Sequence, residues 1–206
     1  MKNSDLIIYD YTGNTSDFTV LTVLEKRFGT IVTCGDDSNG EIKPYCTNIM
    51  QKIENRLYND AIGQLAKKIQ SCTDGAFYLC DGSLTTAAIL FAAYPELKDK
   101  IRCLIFISGV QGICERNPIS EKNVVADPIS AKMIFQSGIR LTVLSDAMDL
   151  QTYLDTDFTA GTKVYCDVDV SGGFTFGSLC VDLMNIEKKI PNITLFRREE
   201  GSSNDR

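Results

Sequence analysis

The sequence predicts an α/β protein built on an open, mostly parallel sheet with helices on both faces. Three observations carry this. Short, nearly continuous apolar runs recur at Leu6 to Tyr9, Ala76 to Cys80 and Ile101 to Ile107, as strands buried on both faces require. Segments with helical spacing of apolar residues alternate with these runs. Each run ends in Asp, Gly, Ser or Thr, the residue types that leave a strand and open a helix.

Taken in order, Leu6 to Tyr9 forms the first strand and ends at Asp10, and Phe18, Leu21 and Leu24 give the following helix its apolar spacing. Between them lie Thr12, Gly13, Asn14, Thr15 and Ser16, followed by Asp17. In open α/β sheets ligands collect outside the carboxyl ends of the strands, so this loop is the first place to look for chemistry. The plainer alternative is that Ser16 or Asp17 caps the helix while Asp10 hydrogen-bonds the loop. Gly29 closes the helix, and Thr30 to Cys34 gives a second strand that ends in Gly35, Asp36 and Asp37.

Pro44 opens a long helical pattern through Cys46, Ile49, Ile53, Leu57, Ala61, Leu65 and Ile69, with Gly63 as a candidate interruption. This segment covers the sheet and carries no chemistry. Strand Ala76 to Cys80 leads through Asp81, Gly82, Ser83 and Leu84 into a helix from about Thr85. After a turn at Pro95 and Lys98 to Lys100, strand Ile101 to Ile107 is closed by Ser108 and Gly109. Strand, helix, strand, helix, strand implies right-handed crossovers and a parallel, Rossmann-like sheet.

Within Asn117 to Ser137, Asp127 reads as an N-cap and Pro128 as the first helical residue, with Ala131, Ile134 and Phe135 as the apolar face. Glu121 and Asn123, two residues apart, project to one side if their segment is extended. A carboxylate and an amide so placed form either a surface pair or a ligand clamp. Lys163 to Val170 alternates as a strand, Gly172 and Gly173 make a turn, and Asn192 to Phe196 is a final strand. Residues 1–196 read as one domain, and the polar tail 197–206 as disordered.

Composition narrows the function. The net charge is −6 with no Lys/Arg cluster, which disfavours nucleic-acid binding and suits a small neutral or cationic ligand. The sequence shows no signal-peptide pattern and no apolar stretch long enough to span a membrane, so the expected location is cytoplasmic. The eight cysteines are scattered without metal-ligand spacing, so they read as small buried hydrophobes in a reducing compartment. The chain has no histidine at all, which excludes Ser-His-Asp and Cys-His catalysis and histidine-bound metals.

Three segments, in order, resemble motifs of the inosine-uridine preferring nucleoside hydrolases. IIYDYTGNTSD at Ile7 to Asp17 resembles the family's I-I-x-D-x-D-P-G-x-D-D. GSLTTAA at Gly82 to Ala88 resembles its G-P-L-T-N helix start, and EKNVVADPISAK at Glu121 to Lys132 its E-F-N-x-x-x-D-P-x-A-A-K segment. DVDVSGGFTFGSLCVD at Asp167 to Asp182 is similar to the family's glycine-containing hairpin.

The resemblance implies hydrolysis of the N-glycosidic bond of ribonucleosides. In that reaction calcium held by aspartates binds the ribose hydroxyls and the attacking water, and an aspartate takes the water's proton. Asp10 matches the motif's first aspartate and Asp17 its last, a calcium ligand, with Asp146 a further candidate ligand; Asp146 matches either the family's late aspartate or the one ending the preceding strand. Thr12 and Ser16 stand where the family has a ligand and the base. A hydroxyl there supplies neither the charge a hard cation wants nor a base that titrates near neutrality. Asp36 or Asp37 falls in place of a ribose-contacting asparagine, and Glu121 and Asn123 on the ribose-contacting acid and amide, with Lys122 between them instead of an aromatic. The stretch between Asp37 and Gly82 is shorter than the family's and lacks its histidine-bearing loop, as the chain after Leu144 lacks the late His-Asp pair.

Three expectations follow. The first is a shortened, degenerate relative, impaired in catalysis, that works by binding a ribose or nucleoside. The second is an active calcium-dependent ribonucleoside hydrolase of nucleoside salvage that uses Asp17, Asp36 or Asp146. The third is a structural subunit working through a homo-oligomer or a protein partner. General-base and general-acid contributions are each worth roughly 10²- to 10⁴-fold, so losing both leaves feeble turnover.

Overall fold

The computed structural model describes residues 5–11, 20, 22–24, 26–34, 60–108, 122–144, 149–156, 160–171, 177–182 and 191–196. Its strands are β1 (Leu6–Tyr11), β2 (Thr30–Cys34), β3 (Ala76–Asp81), β4 (Ile101–Ile107), β5 (Leu141–Leu144), β6 (Thr162–Val168), β7 (Leu179–Asp182) and β8 (Ile193–Phe196). They form one sheet in the order β2-β1-β3-β4-β5-β8-β6-β7. From β2 to β8 all neighbours are parallel, and β6 pairs antiparallel with both β8 and β7. The mostly parallel α/β architecture expected from the apolar runs is therefore observed. The glycine-containing segment is a hairpin, with Tyr165 opposite Asp182 and Val168 opposite Leu179.

Helices delimited among the described residues are α1 (Asp60–Ser71), α2 (Thr85–Ala93), α3 (Lys122–Ala126), α4 (Pro128–Phe135) and α5 (Asp149–Asp155). Strand alternation divides the apolar residues between two cores. On one face Ile8, Tyr78, Leu104 and Phe106 pack with Leu65, Ile69, Ala88, Phe91, Ile134 and Phe135 from α1, α2 and α4. On the other, Ile7, Tyr9, Phe77 and Ile105 pack with Leu24, Phe28, Leu150 and Leu154. Helix α2 is buried from Thr85 through Phe91, which is why its sequence is apolar on every side.

Several boundaries differ from expectation. Strand β1 runs two residues past Tyr9, because Asp10 pairs with Cys34 and Cys80 and Tyr11 with Asp81. Gly63 lies inside α1 and does not interrupt it, since Ile62, Leu65, Ala66 and Ile69 keep the buried stripe continuous around it. The segment carrying Asn123 is helical from Lys122 instead of extended. The two-residue argument that put Glu121 and Asn123 on one side therefore fails, and Glu121 lies outside the described residues. Strand β6 ends at Val168, where Asp169 turns the chain by accepting from Ser171 N and Oγ. Strand β8 starts at Ile193, and Asn192 before it donates its backbone N–H to Val164 O at 3.2 Å while its side chain bridges Cys166 and Phe135.

Among the described cysteines, Cys80, Cys103 and Cys166 are buried and Cys72 is partly so, as expected, while Cys180 is exposed; all are free. The residues expected to form the long helix before Asp60, the turn at Gly172 and Gly173, and the tail lie outside the described set.

Candidate functional site

Chain topology selects the place. The connection from β1 goes to β2 on one side, and the following strand, β3, is added on the other, so β1 is the point where the strand order reverses. The crevice outside the carboxyl ends of β1 and β3 is where such sheets receive ligands. Asp10 stands there, buried at 4% exposure. It projects to the same side as Ile8 and Tyr78, and Tyr78 donates its hydroxyl to Asp10 Oδ2 at 2.8 Å. Two half-buried or buried neighbours complete this end: Asp81, opposite Tyr11, and Tyr11 itself, stacked on Tyr9 with centroids 5.0 Å apart.

The next carboxyl end, that of β4, is held from outside. Asn123 on α3 donates Nδ2 to the Ile107 carbonyl at 2.9 Å, leaving Oδ1 as its acceptor. Ser108 follows, fully buried, with no partner for its hydroxyl among the described residues. Its backbone N–H continues the ladder to Leu144 O at 3.1 Å.

Helix α3 ends where α4 is capped. Asp127, buried, accepts from Ser130 N at 3.1 Å and Ser130 Oγ at 2.6 Å, and Thr85 at the start of α2 donates to its Oδ2 at 2.7 Å. Ser83 bonds Thr85 in turn at 3.0 Å. The G-S-L-T-T and D-P-I-S segments, read separately in the sequence, are therefore one joint that fixes the amino ends of two helices. Below β5, Thr142 bonds the Tyr153 hydroxyl at 2.7 Å, with the Cys103 thiol 3.6 Å from Thr142 Oγ1. Burial pushes the Cys103 thiol and the Tyr153 phenol above their ordinary pKa values.

Of the residues expected at the site, the structure describes Asp10 and Asn123. Asp10 stands at the end of β1 and Asn123 beside the end of β4, with β3 between the two strands. Thr12, Ser16, Asp17, Asp36, Asp37, Glu121 and Asp146 lie outside the described residues. Sequence reasoning missed Tyr78 and Ser108. Tyr78 reads as one more apolar strand residue, and only its pairing position shows that it reaches Asp10.

Among the described residues no group of three or more His, Cys, Asp or Glu side chains is placed to hold a metal ion. One oxygen of Asp10 already accepts from Tyr78, and the positions of Thr12 and Ser16 offer hydroxyls. Among the described residues the carboxylates at this end are those of Asp10 and Asp81, fewer charged oxygens than calcium favours.

The sheet order defines a class, that of open, mostly parallel α/β proteins. The comparisons place the chain more narrowly. Residues 33–161 match the family model of the inosine-uridine preferring nucleoside hydrolases, more than half of the sequence, and the chain belongs to that family. The match includes Gly82 to Ala88 and Glu121 to Lys132; Ile7 to Asp17 and Asp167 to Asp182 fall outside it.

The pyrimidine-specific ribonucleoside hydrolase RihA of Shewanella oneidensis is 32% identical over 83 residues, 40% of this chain and 26% of that protein. RihA of Klebsiella pneumoniae is 33% identical over 79 residues, 38% of this chain and 25% of that protein. The matched stretch thus spans about a quarter of these curated relatives. In fold, the chain is similar to a plant nucleoside hydrolase, PpNRh1, with TM-score 0.73 and 13% identity over 94% of each chain. It is also similar to a purine-preferring ribonucleoside hydrolase from Gardnerella vaginalis, with TM-score 0.64 and 14% identity over 93% of this chain and 92% of that one. No described helix is long and apolar enough to cross a membrane.

Proposed function

We propose that this protein is a shortened, degenerate nucleoside hydrolase that binds a ribose or ribonucleoside at the carboxyl ends of β1, β3 and β4, with hydrolysis lost or strongly impaired. The observation that carries this is the state of the β1 end. Asp10 is buried and oriented there by Tyr78, while hydroxyls at Thr12 and Ser16 occupy the positions that the family resemblance gives to a metal ligand and the base. A buried carboxylate at a strand end is a hydrogen-bond acceptor for a sugar hydroxyl, and Asn123 Oδ1 is a second acceptor beside β4. Asp17, Asp36, Asp37 and Glu121 are proposed as further contacts. Neither threonine nor serine takes a proton from water near neutral pH without a base beside it, and the chain has no histidine to supply one or to protonate a departing base.

A second reading, active calcium-dependent hydrolysis, draws on Asp10 and Asp81 standing on adjoining strand ends. It requires Asp17 and Asp146 to complete a ligand set.

The test is a thermal-shift titration with inosine, with ribose, and with each in the presence of calcium, followed by a base-release assay. The binding reading expects a rise in midpoint with inosine and no release of base. Release that needs calcium would replace it with the second reading. No shift at millimolar ligand would leave a structural role through protein partners, because only native-state binding raises the midpoint.

A further inference from the structure

Ser108 carries a buried polar group that its surroundings do not use. The residue is 0% exposed, and its Oγ has no hydrogen-bond partner among the described residues. Most buried hydroxyls in folded proteins are bonded, because one left unmade bears the whole loss of its hydration. The place of this hydroxyl, where β4 leaves the sheet, supplies the reason for it.

Strand and helix together fix where it points. Phe106 packs in one core and Ile107 in the other, so strand alternation turns Ser108 to the Phe106 side. The Ser108 N–H on Leu144 O keeps the residue in the ladder. Val124 packs in the same core as Phe106, which puts α3 on that side too. Asn123, just before Val124, bonds the Ile107 carbonyl at 2.9 Å, so its amide lies one hydrogen bond and one peptide unit from Ser108. That bond uses Nδ2 and fixes the amide with Oδ1 as its acceptor.

Asp10 stands on the same side of the sheet. It pairs with Cys80, Cys80 pairs with Phe106, and Ser108 is two residues further along β4. Two strand spacings and two residues of rise put their backbones roughly 12 Å apart.

We propose that Ser108 is a specificity-determining residue of the strand-end site, its hydroxyl and the Asn123 amide oxygen together recognising one hydroxyl of the bound ligand. This rests on the binding reading given above. A hydroxyl is donor and acceptor at once, so a ligand O–H donates to Asn123 Oδ1 while its oxygen accepts from Ser108 Oγ. An ether or carbonyl oxygen has no proton for the amide, and an ammonium has no lone pair for the serine. The distance to Asp10 exceeds the span of a single hydroxyl, so the two residues hold different parts of the ligand. The ligand class is therefore a nucleoside-sized compound with several hydroxyls, one of them at the end of β4. The unmet hydroxyl destabilises the free protein, and binding offsets that loss.

Calorimetric titration of the full chain and of Ser108→Ala with inosine and its 2′-, 3′- and 5′-deoxy analogues tests it. Ser108→Ala should weaken inosine binding roughly tenfold or more. It should leave unchanged the affinity for one analogue, the one that lacks the hydroxyl Ser108 meets. Without ligand, the same variant should keep or raise the urea midpoint, since it deletes a buried hydroxyl that has nothing to bond. Inosine binding equal in the two proteins overturns the proposal and leaves the binding reading standing. A loss that persists against all three analogues also overturns it, because Ser108 would then meet no ribose hydroxyl. A lowered urea midpoint would show the hydroxyl bonded inside the protein and overturns it with no ligand present. Absence of inosine binding by the unaltered chain at millimolar concentration removes the binding reading and this inference together.

Discussion

The joint between α2 and α4 and the end of β1 both come from segments that resemble the family's motifs, and they have fared differently. At the joint, Thr85, Asp127 and Ser130 satisfy one another in a buried network, and each keeps a side chain suited to its task. At the end of β1, Asp10 stays, with Tyr78 fixing one oxygen, while hydroxyls stand at Thr12 and Ser16. The joint serves folding. The β1 end is where we propose a ligand is bound. A scaffold is kept by contacts such as those of the joint whatever the chemistry at a strand end, which is why shared fold is poor evidence of shared activity.

The largest expected effect lies at the joint. Asp127→Ala removes an N-cap worth about 1 kcal/mol and takes the acceptor from the buried Ser130 hydroxyl at about 1–3 kcal/mol, while Thr85 keeps Ser83, so urea denaturation should show a loss of roughly 2 kcal/mol or more. Asp127→Asn keeps an acceptor and should lose less. A loss under about 1 kcal/mol for the alanine variant would mean that the network does not hold the helices, and the contrast between the regions would collapse.

Alkaline pH probes the same half of the molecule. Cys166 of β6 packs in the core shared with α4, and burial, then the neighbouring Cys180 and Asp167, push its thiol up to about 12. A raised thiol pKa means that the folded chain keeps a proton the unfolded chain gives up. The stabilisation is whole below the ordinary thiol value of 9.0 and is lost progressively as pH rises towards 12. Melting midpoints from pH 8 to 12 should fall over that window, and less steeply in Cys166→Ala. An equal fall in both would assign the loss to other groups, with Cys103 and Tyr153 next in line.

At the β1 end, stability and binding should separate. Tyr78→Phe deletes the donor to Asp10 and should cost about 1–2 kcal/mol. Asp10→Asn, which preserves shape, should change stability by about 1 kcal/mol or less. Both should reduce the inosine-induced rise in midpoint, Asp10→Asn the more. If either left that rise intact, Asp10 would be a core carboxylate and not part of a site.

How much of this was legible follows from range. The strands β3 and β4 and the Asp127–Pro128 helix start are local patterns, and they stand where the sequence put them. For Asn123 the two-residue spacing bore on a face only if the segment was extended, whereas α3 is held by its surroundings: the Asn123 amide on Ile107 and the turn from Asp127 N to Val124 O. The contacts that define both regions join residues 68 and 42 positions apart, Tyr78 with Asp10 and Thr85 with Asp127. Neither partner carries a local mark of the other.

The smallest effect has the opposite sign. Glycine inside a helix costs roughly 0.5–1 kcal/mol relative to alanine, because its backbone loses more freedom on folding. Gly63 lies within α1, and a Cβ added there meets only Tyr94 Oη, at 3.9 Å, an ordinary contact. Gly63→Ala should therefore raise stability by about 0.5–1 kcal/mol in urea denaturation and leave the inosine response unchanged. That pairing sharpens the contrast: a covering helix is open to improvement without touching the site, as a region that serves folding alone should be. A gain in stability accompanied by a changed inosine response would show instead that α1 is coupled to the β1 end, and that the two halves of the molecule are not independent.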